Sequence, residues 1–154
     1  MPRAPFQVLV IPFRRVGDQV EFAVLRREDM KVWQAVAGGG EAGETPQQAA
    51  VRETYEELGL DRPVPVYPLQ TMASIPARFF ADRRSWPDGT YVVPEYSFGS
   101  DLTSVEIKTS QEHTDVQWLD YEAAVEALRF DSNRTALGEL HDRLLADDLP
   151  KLIE

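Results

Sequence analysis

The stretch of sequence that decides the fold runs from Gly38 to Leu60 and reads GGGEAGETPQQAAVRETYEELGL. Thr45 is a good helix N-cap, Pro46 suits the first helical position, and Gly59 stands where a helix would end. Between them, small and apolar side chains recur at helical spacing; these are Ala50, Thr54, Tyr55 and Leu58. The stretch therefore predicts a glycine-rich loop, where glycine permits positive φ and close backbone approach, followed by a helix with one buried face.

Three carboxylates share another face of this predicted helix. Glu53, Glu56 and Glu57 stand at i, i+3 and i+4, which brings neighbouring Cβ atoms to about 5–6 Å from one another. Like charges at this spacing destabilise a helix by a few tenths of a kcal/mol per pair, and a hard divalent cation such as Mg²⁺ or Mn²⁺ would relieve that repulsion. A solvated acidic face relieved by Arg52 is the other interpretation, and these residues alone leave both open.

The spacing of the charged residues and glycines extends the pattern beyond the helix. The stretch fits G-x5-E-x7-R-E-U-x-E-E-x-G-U, where U is a bulky aliphatic residue, and its fixed positions are Gly38, Glu44, Arg52, Glu53, Glu56, Glu57 and Gly59. If each fixed residue type occurs at about 7%, a chance match has odds of roughly one in 10⁸ per start position. The pattern resembles the Nudix box. Thr54 stands where Ile, Leu or Val is usual, and Leu60 keeps the other aliphatic position.

The resemblance implies roles for the residues of the box. Glu56 and Glu57 are expected to bind the metal directly, Glu53 to bind the metal or act as a base, and the backbone carbonyl near Ala37 to lie beside these carboxylates. Glu53 and Glu57 are the expected catalytic glutamates. Glu44 is expected to pair with Arg52 and hold the loop against the helix, with Gly38 and Gly59 shaping the backbone. Nudix enzymes hydrolyse a nucleoside diphosphate linked to another group, with Mg²⁺ as the expected ion and Mn²⁺ as its substitute.

A downstream carboxylate commonly completes a site of this kind. Glu112, which precedes the apolar segment at 116–119, occupies the expected place and is predicted to serve as a metal ligand or catalytic base. The alternative is an ordinary loop glutamate. Two histidines, His113 and His141, are too few and too far apart in the sequence for a histidine metal site.

Short matches beyond the box point to a subgroup. The chain is similar to the dATP pyrophosphohydrolase group, which includes dihydroneopterin triphosphate pyrophosphatases; the matches are Leu25 to Arg27, Trp33-Gln34, Glu95 to Phe98, Glu112-His113, Trp118 to Asp120 and Ser132 to Arg134. In that group the products are a monophosphate and pyrophosphate. Arg26, Arg27 and Trp33 are then expected to contact the substrate, with arginine on phosphate oxygens and tryptophan on the ring. Exposed arginines and a core tryptophan are the alternatives.

A long stretch from Ser74 to Thr90 is predicted to be irregular. It could cover a base or pterin, with Arg78 near the phosphates. It could equally form a dimer contact through its aromatic residues, Phe79, Phe80 and Trp86. Pro76 keeps ADP-ribose open as a substrate, because a proline at about this distance beyond the box recurs in Nudix ADP-ribose pyrophosphatases.

Composition limits the partners of the chain. The 154 residues contain 16 Lys and Arg against 26 Asp and Glu, a net charge of −10, and no cysteine. This acidity opposes binding to nucleic-acid polymers and anionic membranes, and the missing cysteines exclude disulfides and thiolate chemistry. Residues 1–10 contain no apolar stretch of signal-peptide length, and no segment is long enough to span a bilayer, so we expect one cytoplasmic domain over residues 1–154, with a homodimer as a further expectation.

The remaining pattern predicts a mixed α/β domain. Strands are predicted at 6–13, 20–25, 64–71, 91–98 and 116–119, with a hairpin turn at Gly17-Asp18. Asp120 is predicted to cap a helix to Leu128, and Asp131 to Asn133 to cap the last one. The resemblance implies a Nudix α/β/α sandwich with the box helix and the C-terminal helix on opposite sides of a mixed sheet.

Three functions remain open at this point. The first is a metal-dependent pyrophosphohydrolase of a nucleoside triphosphate or dihydroneopterin triphosphate. The second is a Nudix hydrolase of ADP-ribose, a nucleotide sugar or a dinucleoside polyphosphate. The third is a non-catalytic nucleotide-binding Nudix module, which the presence of all three helix glutamates disfavours.

Overall fold

The computed structural model describes residues 2–108 and 113–152. The strands are β1 (Arg3–Val16), β2 (Gln19–Arg27), β3 (Val32–Gln34), β4 (Val36–Glu41), β5 (Val66–Pro76), β6 (Val92–Asp101) and β7 (His113–Leu119). The helices are α1 (Pro46–Leu58), α2 (Tyr121–Ala127) and α3 (Asp131–Leu145), with short 3₁₀ turns at Ala77–Phe79 and Ala81–Ser85. No helix within these residues is both long and apolar enough to cross a membrane.

Strand β1 is the centre of one mixed sheet. Along a single path the strands are ordered β3-β2-β1-β6-β5, while β4 also pairs with β1 and β7 with β2. The pairing of β1 with β6 is parallel, and the other pairings are antiparallel. The predicted hairpin is confirmed, because Val16 pairs with Gln19 across a turn in which Gly17 has a φ of 63°.

Alternate residues of β1 point to two separate cores. Val8 and Val10 pack in a cluster with the buried residues of α1, whereas Leu9 and Ile11 pack in a cluster with those of α2 and α3. Successive strand residues face opposite sides of a sheet, so α1 covers one face and α2 with α3 covers the other. The expected α/β/α sandwich is confirmed.

Two predicted irregular segments prove to be partly strand. Gly38, Gly39 and Gly40 belong to β4, and Gly38 and Gly39 pair with β1, so the prediction of a glycine loop was wrong. Side chains from neighbouring elements fill the space above each glycine, which explains why glycines occur in a strand here. Ser74 to Pro76 are likewise the end of β5, and Trp86, in the segment that follows, is buried.

The start of α3 also differs from the prediction. The N-cap is Phe130, without a side-chain hydrogen bond, and Asp131 is already the first helical residue. The buried side chain of Asn133 instead accepts a hydrogen bond from the backbone N–H of Ala35 at 2.8 Å. Asn133 therefore ties α3 to the segment between β3 and β4 rather than capping its own helix.

We expect Asn133→Ala to lower the free energy of unfolding by about 1–3 kcal/mol, because the buried N–H of Ala35 loses its acceptor. Thr135→Ala, which truncates an exposed residue of the same helix, is the control and should change stability by no more than about 0.5 kcal/mol. Urea unfolding measures both. Equal effects of the two substitutions would contradict this role of Asn133.

Candidate active site

Local interactions define both ends of α1. Thr45 Oγ1 accepts from the N–H of Gln48 at 3.1 Å, and Gln48 Oε1 accepts from the N–H of Thr45 at 2.9 Å, which forms a capping box. At the other end Gly59 has a φ of 58°, and the carbonyl of Lys108 lies 2.3 Å from where a Cβ would stand. A side chain at position 59 would therefore be both strained and obstructed.

Thr54 stands where the box pattern usually has an aliphatic residue, and α1 itself provides a partner for its hydroxyl. Thr54 is fully buried, and its hydroxyl donates to the carbonyl of Ala50 at 2.7 Å. This bond satisfies the polar group that replaces the usual aliphatic side chain. The departure therefore leaves no buried polar atom of Thr54 without a partner.

Arg52 connects the loop, the strand and the helix. Its Nε and Nη2 donate to the two carboxylate oxygens of Glu44 at 2.8 and 2.9 Å, and Nη2 also donates to the carbonyl of Gly39 at 2.9 Å. Its Nη1 donates to Glu53 at 2.8 Å and lies 3.3 Å from Glu56 Oε2. The expected pairing of Glu44 with Arg52 is confirmed. The hydrogen bond from Arg52 holds the pKa of Glu44 below its usual range.

Glu53 lies in a space that only glycine leaves open. Its carboxylate is 2.1 Å from the point where a Cβ of Gly38 would stand, and the residue is 8% exposed. Burial raises the pKa of Glu53 to about 7, although Arg52 acts in the opposite direction. Repulsion from Glu56 and Glu57 contributes to this raised pKa. Glu53 is thus a carboxylate whose ionised form a bound cation would stabilise.

The other box glutamates extend from the same helix. Glu56 is exposed, whereas Glu57 is 6% exposed. Within residues 2–108 and 113–152, no group of three or more acidic or histidine side chains is already arranged to hold a metal ion. Glu112, the predicted fourth carboxylate, lies outside the described residues. The oxygen-only donor set nevertheless suits Mg²⁺ or Mn²⁺, and the raised pKa of Glu53 marks where such an ion would neutralise charge.

The predicted substrate residues lie on elements other than β4 and α1, which carry the box. Arg26 and Arg78 are exposed, and Arg27 pairs with Asp29 at 2.7 Å. Trp33 in β3 packs against the core beneath α2 and α3. Within the described residues, the hydrogen bonds and ion pairs of Glu53 and Glu56 are to Arg52 and to none of these four side chains.

One buried carboxylate lies in a stretch that matches the subgroup but was not predicted to be a site residue. Glu95 in β6 is 3% exposed and accepts a hydrogen bond from Gln7 Nε2 at 2.9 Å. The alternation of Val93, Glu95 and Ser97 on one face of an otherwise apolar strand is the signal that could have found it.

The fold and the glutamate-bearing helix beside Gly38 define a Nudix-type site. Residues 5–140 match the family model described as NUDIX domain, and the chain therefore belongs to the Nudix hydrolase family. It is 30% identical over 139 residues to the dihydroneopterin triphosphate diphosphatase of Escherichia coli strain K12, an alignment that covers 89% of this chain and 92% of the relative.

Solved structures agree with this assignment. A Listeria monocytogenes protein assigned to the Nudix hydrolases superposes with a TM-score of 0.88 at 46% identity, covering 97% of this chain and all of the other. The E. coli dihydroneopterin triphosphate pyrophosphohydrolase superposes with a TM-score of 0.69 at 29% identity, covering 88% of this chain and 93% of the other. The protein is accordingly a hydrolase of the Nudix family.

The raised pKa of Glu53 predicts a pH-dependent stability of the metal-free protein. An unfolded glutamate ionises near 4.5, whereas folded Glu53 keeps its proton to about pH 7. Ionisation therefore favours the unfolded chain, and Glu53 lowers stability progressively between these two pH values. The Glu53→Gln substitution should therefore raise the free energy of unfolding more at pH 8 than at pH 5. The difference between its effects at the two pH values should be on the order of 3 kcal/mol.

Urea unfolding in a chelator at several pH values measures this difference. Glu126→Gln is the control, because it makes the same chemical change at an exposed position of α2, away from Glu53, and should not reproduce this difference between the two pH values. A Glu53→Gln effect that did not change with pH would show that Glu53 ionises at its ordinary pKa.

Proposed function

We propose that the protein is a metal-dependent pyrophosphohydrolase that cleaves a nucleoside triphosphate or dihydroneopterin triphosphate to a monophosphate and pyrophosphate. The similarity to the E. coli dihydroneopterin triphosphate diphosphatase carries the proposal, because it spans 89% of this chain and 92% of the relative. The structure of the E. coli pyrophosphohydrolase supports it with coverage of 88% of this chain.

The proposed cofactor is Mg²⁺, with Mn²⁺ as an alternative. Glu53, Glu56 and Glu57 would hold the ion together with Glu112 and the backbone carbonyl of Ala37. The bound metal would neutralise phosphate charge and lower the pKa of the attacking water. The carboxylate-only donor set of the helix supports a hard cation rather than zinc.

Within this proposal, Arg52 positions Glu53 and keeps the loop residue Glu44 against β4. Glu53 is proposed as a metal ligand or as the base, because Arg52 holds its carboxylate beside Gly38. Glu57 and Glu112 are the other proposed catalytic carboxylates. Arg26, Arg27 and Arg78 are proposed to contact the phosphates, and Trp33 to contact the ring.

The proposed partner is a small nucleotide or pterin phosphate. A net charge of −10 disfavours a nucleic-acid polymer or an anionic membrane as the partner. A cytoplasmic location, a homodimer and a single domain over the whole chain stay predictions.

The proposal is tested by resolving the products formed from a substrate panel with Mg²⁺, and separately with Mn²⁺. The panel contains the eight common nucleoside triphosphates, dihydroneopterin triphosphate, ADP-ribose and a diadenosine polyphosphate. We expect a monophosphate and pyrophosphate from at least one triphosphate. Cleavage of ADP-ribose alone, to AMP and ribose phosphate, would replace the proposal with the second substrate class, and no cleavage would favour a binding module.

A glutamine pair tests the metal assignment. Loss of one residue that merely supports a metal ligand typically costs about 10–100-fold, so replacing two proposed ligands in Glu56→Gln/Glu57→Gln should lower kcat/KM by at least about 100-fold. Glu122→Gln/Glu126→Gln makes the same chemical change at exposed positions of α2 and should leave kcat/KM unchanged. Turnover at the wild-type level in the first pair would show that these glutamates do not bind the metal.

A further inference from the structure

A row of four residues crosses the sheet on the face opposite α1. Gly39 of β4 pairs with Gln7 of β1, Gln7 pairs with Glu95 of β6, and Glu95 pairs with Ala73 of β5. Paired residues of neighbouring strands share a face, so two polar side chains stand side by side between two positions with little or no side chain. The row is a polar strip within a largely apolar surface.

Glu95 in this row is an incompletely satisfied buried carboxylate. Its Oε2 accepts from Gln7 at 2.9 Å, but Oε1 has no hydrogen-bond partner within residues 2–108 and 113–152. No cation of those residues forms an ion pair with it. Burying a carboxylate oxygen without a partner is costly, so an orphaned oxygen of this kind requires an explanation.

A partly buried structural carboxylate in the same protein shows the contrast. Glu139 of α3 accepts from the N–H groups of Gln70 and Thr71, from the hydroxyl of Thr71 and from Arg143, all within 2.8 Å. These bonds use both oxygens and join α3 to β5. Glu95 joins only two adjacent strands that the backbone already pairs, so structural support does not account for its free oxygen.

The surroundings of Glu95 suit a flat, partly polar ring. Two residues earlier on the same face, Val93 packs in an apolar cluster with Ala77 and Trp86, which Ile75 and Phe80 extend. Arg3 lies over Gly39 at the end of the row, with its guanidinium 5.9 Å from the centre of the Phe80 ring. Because Arg3 is exposed, its side chain can move away from Gly39, at the end of the row. Apolar walls around a few polar groups are typical of small-molecule sites.

The row also lies close to the box. Gly38 and Gly39 are consecutive in β4, so Gly38 faces Glu53 and α1 while Gly39 faces the row. Among the described strands β4 pairs with β1 alone, which leaves its other edge unpaired in the sheet. A triphosphate that crosses this edge would place its ring on the face that holds the row and its phosphates near the box glutamates of α1 on the other face.

We propose that Glu95, oriented by Gln7, recognises the 2-amino-4-oxopyrimidine ring that guanine and pterin share. An ionised carboxylate only accepts hydrogen bonds, and this ring presents two adjacent donors, a ring N–H and the 2-amino group. Adenine and cytosine present a donor beside an acceptor, which the carboxylate would repel. The inference rests on the proposed hydrolysis of triphosphates and narrows the substrate to guanine and pterin compounds.

This inference reassigns the ring contact that the proposed function gives to Trp33. Trp33 lies in β3, which pairs with β2, whereas Gly39 lies in β4, which pairs with β1, and their separation of six residues spans at most about 20 Å at about 3.3 Å per residue. The apolar contacts of the ring would come instead from the cluster around Trp86 and Val93.

The first test compares dGTP with dITP, which lacks only the 2-amino group, and with dATP. Loss of a hydrogen bond to a charged group costs about 10–100-fold, so wild-type kcat/KM should be at least about 10-fold lower for dITP than for dGTP. Glu95→Gln replaces one acceptor with a donor and should shift the preference from dGTP towards dATP. Glu126→Gln, the same change at an exposed position of α2, should keep the wild-type preference.

Equal turnover of dGTP and dITP by the wild type would overturn the inference without any variant, even if Glu95→Gln did not fold. An unchanged base preference in folded Glu95→Gln would overturn it as well. Either result alongside pyrophosphate release would leave the proposed hydrolysis intact.

Metal-free calorimetry separates the ring site from catalysis. Neopterin and GMP should bind the wild type more tightly than AMP does, and Glu95→Gln should lose this difference. If no triphosphate is hydrolysed but neopterin and GMP are still preferred, the proposed function fails while the ring site stands. If AMP binds as well as GMP and neopterin, the ring site is refuted.

Discussion

The position of Arg52 is the constraint on which the rest of the site depends. One guanidinium binds Glu44 from the loop, the carbonyl of Gly39 from β4, and Glu53 from its own helix. Arginine can do this because its donors lie in one plane with fixed directions, whereas lysine offers a single ammonium. The glutamates of α1 therefore keep a set position relative to β4, and the strand keeps a glycine where the carboxylate of Glu53 passes.

Glu53 and Glu95 are buried carboxylates on opposite faces of the sheet, and they are stabilised differently. Glu53, on the α1 face, has a cationic neighbour but also two acidic ones, so its ionised form is incompletely compensated and its pKa is high. Glu95, on the other face, has one amide partner and one oxygen without a partner in the described part of the chain. Both are places where burial leaves an interaction for a ligand to complete: a cation in the first case and a hydrogen-bond donor in the second.

The local signals of the sequence predicted the elements around α1 well. Thr45, Pro46 and Gly59 were read correctly because a helix end is decided by residues within one turn of it. The pairing of Glu44 with Arg52, eight residues apart, followed from the box and is confirmed. Predictions failed where a distant element decided the outcome. Asn133 has the chemistry of a cap, but its oxygen binds Ala35, 98 positions earlier in the chain.

The sequence by itself determined the family, the box helix and the carboxylates that this helix displays, because spacing along one helix places side chains without reference to the rest of the chain. Only the tertiary structure decided that the three glycines form a strand. Glycine is required there because the side chains of Arg3, Phe6 and Glu53, on other elements, occupy the positions that a Cβ would take. The tertiary structure also decided that Gln7 meets Glu95 across 88 positions. Strand pairing sets that contact, and the pairing depends on which hydrophobic faces pack together rather than on either residue.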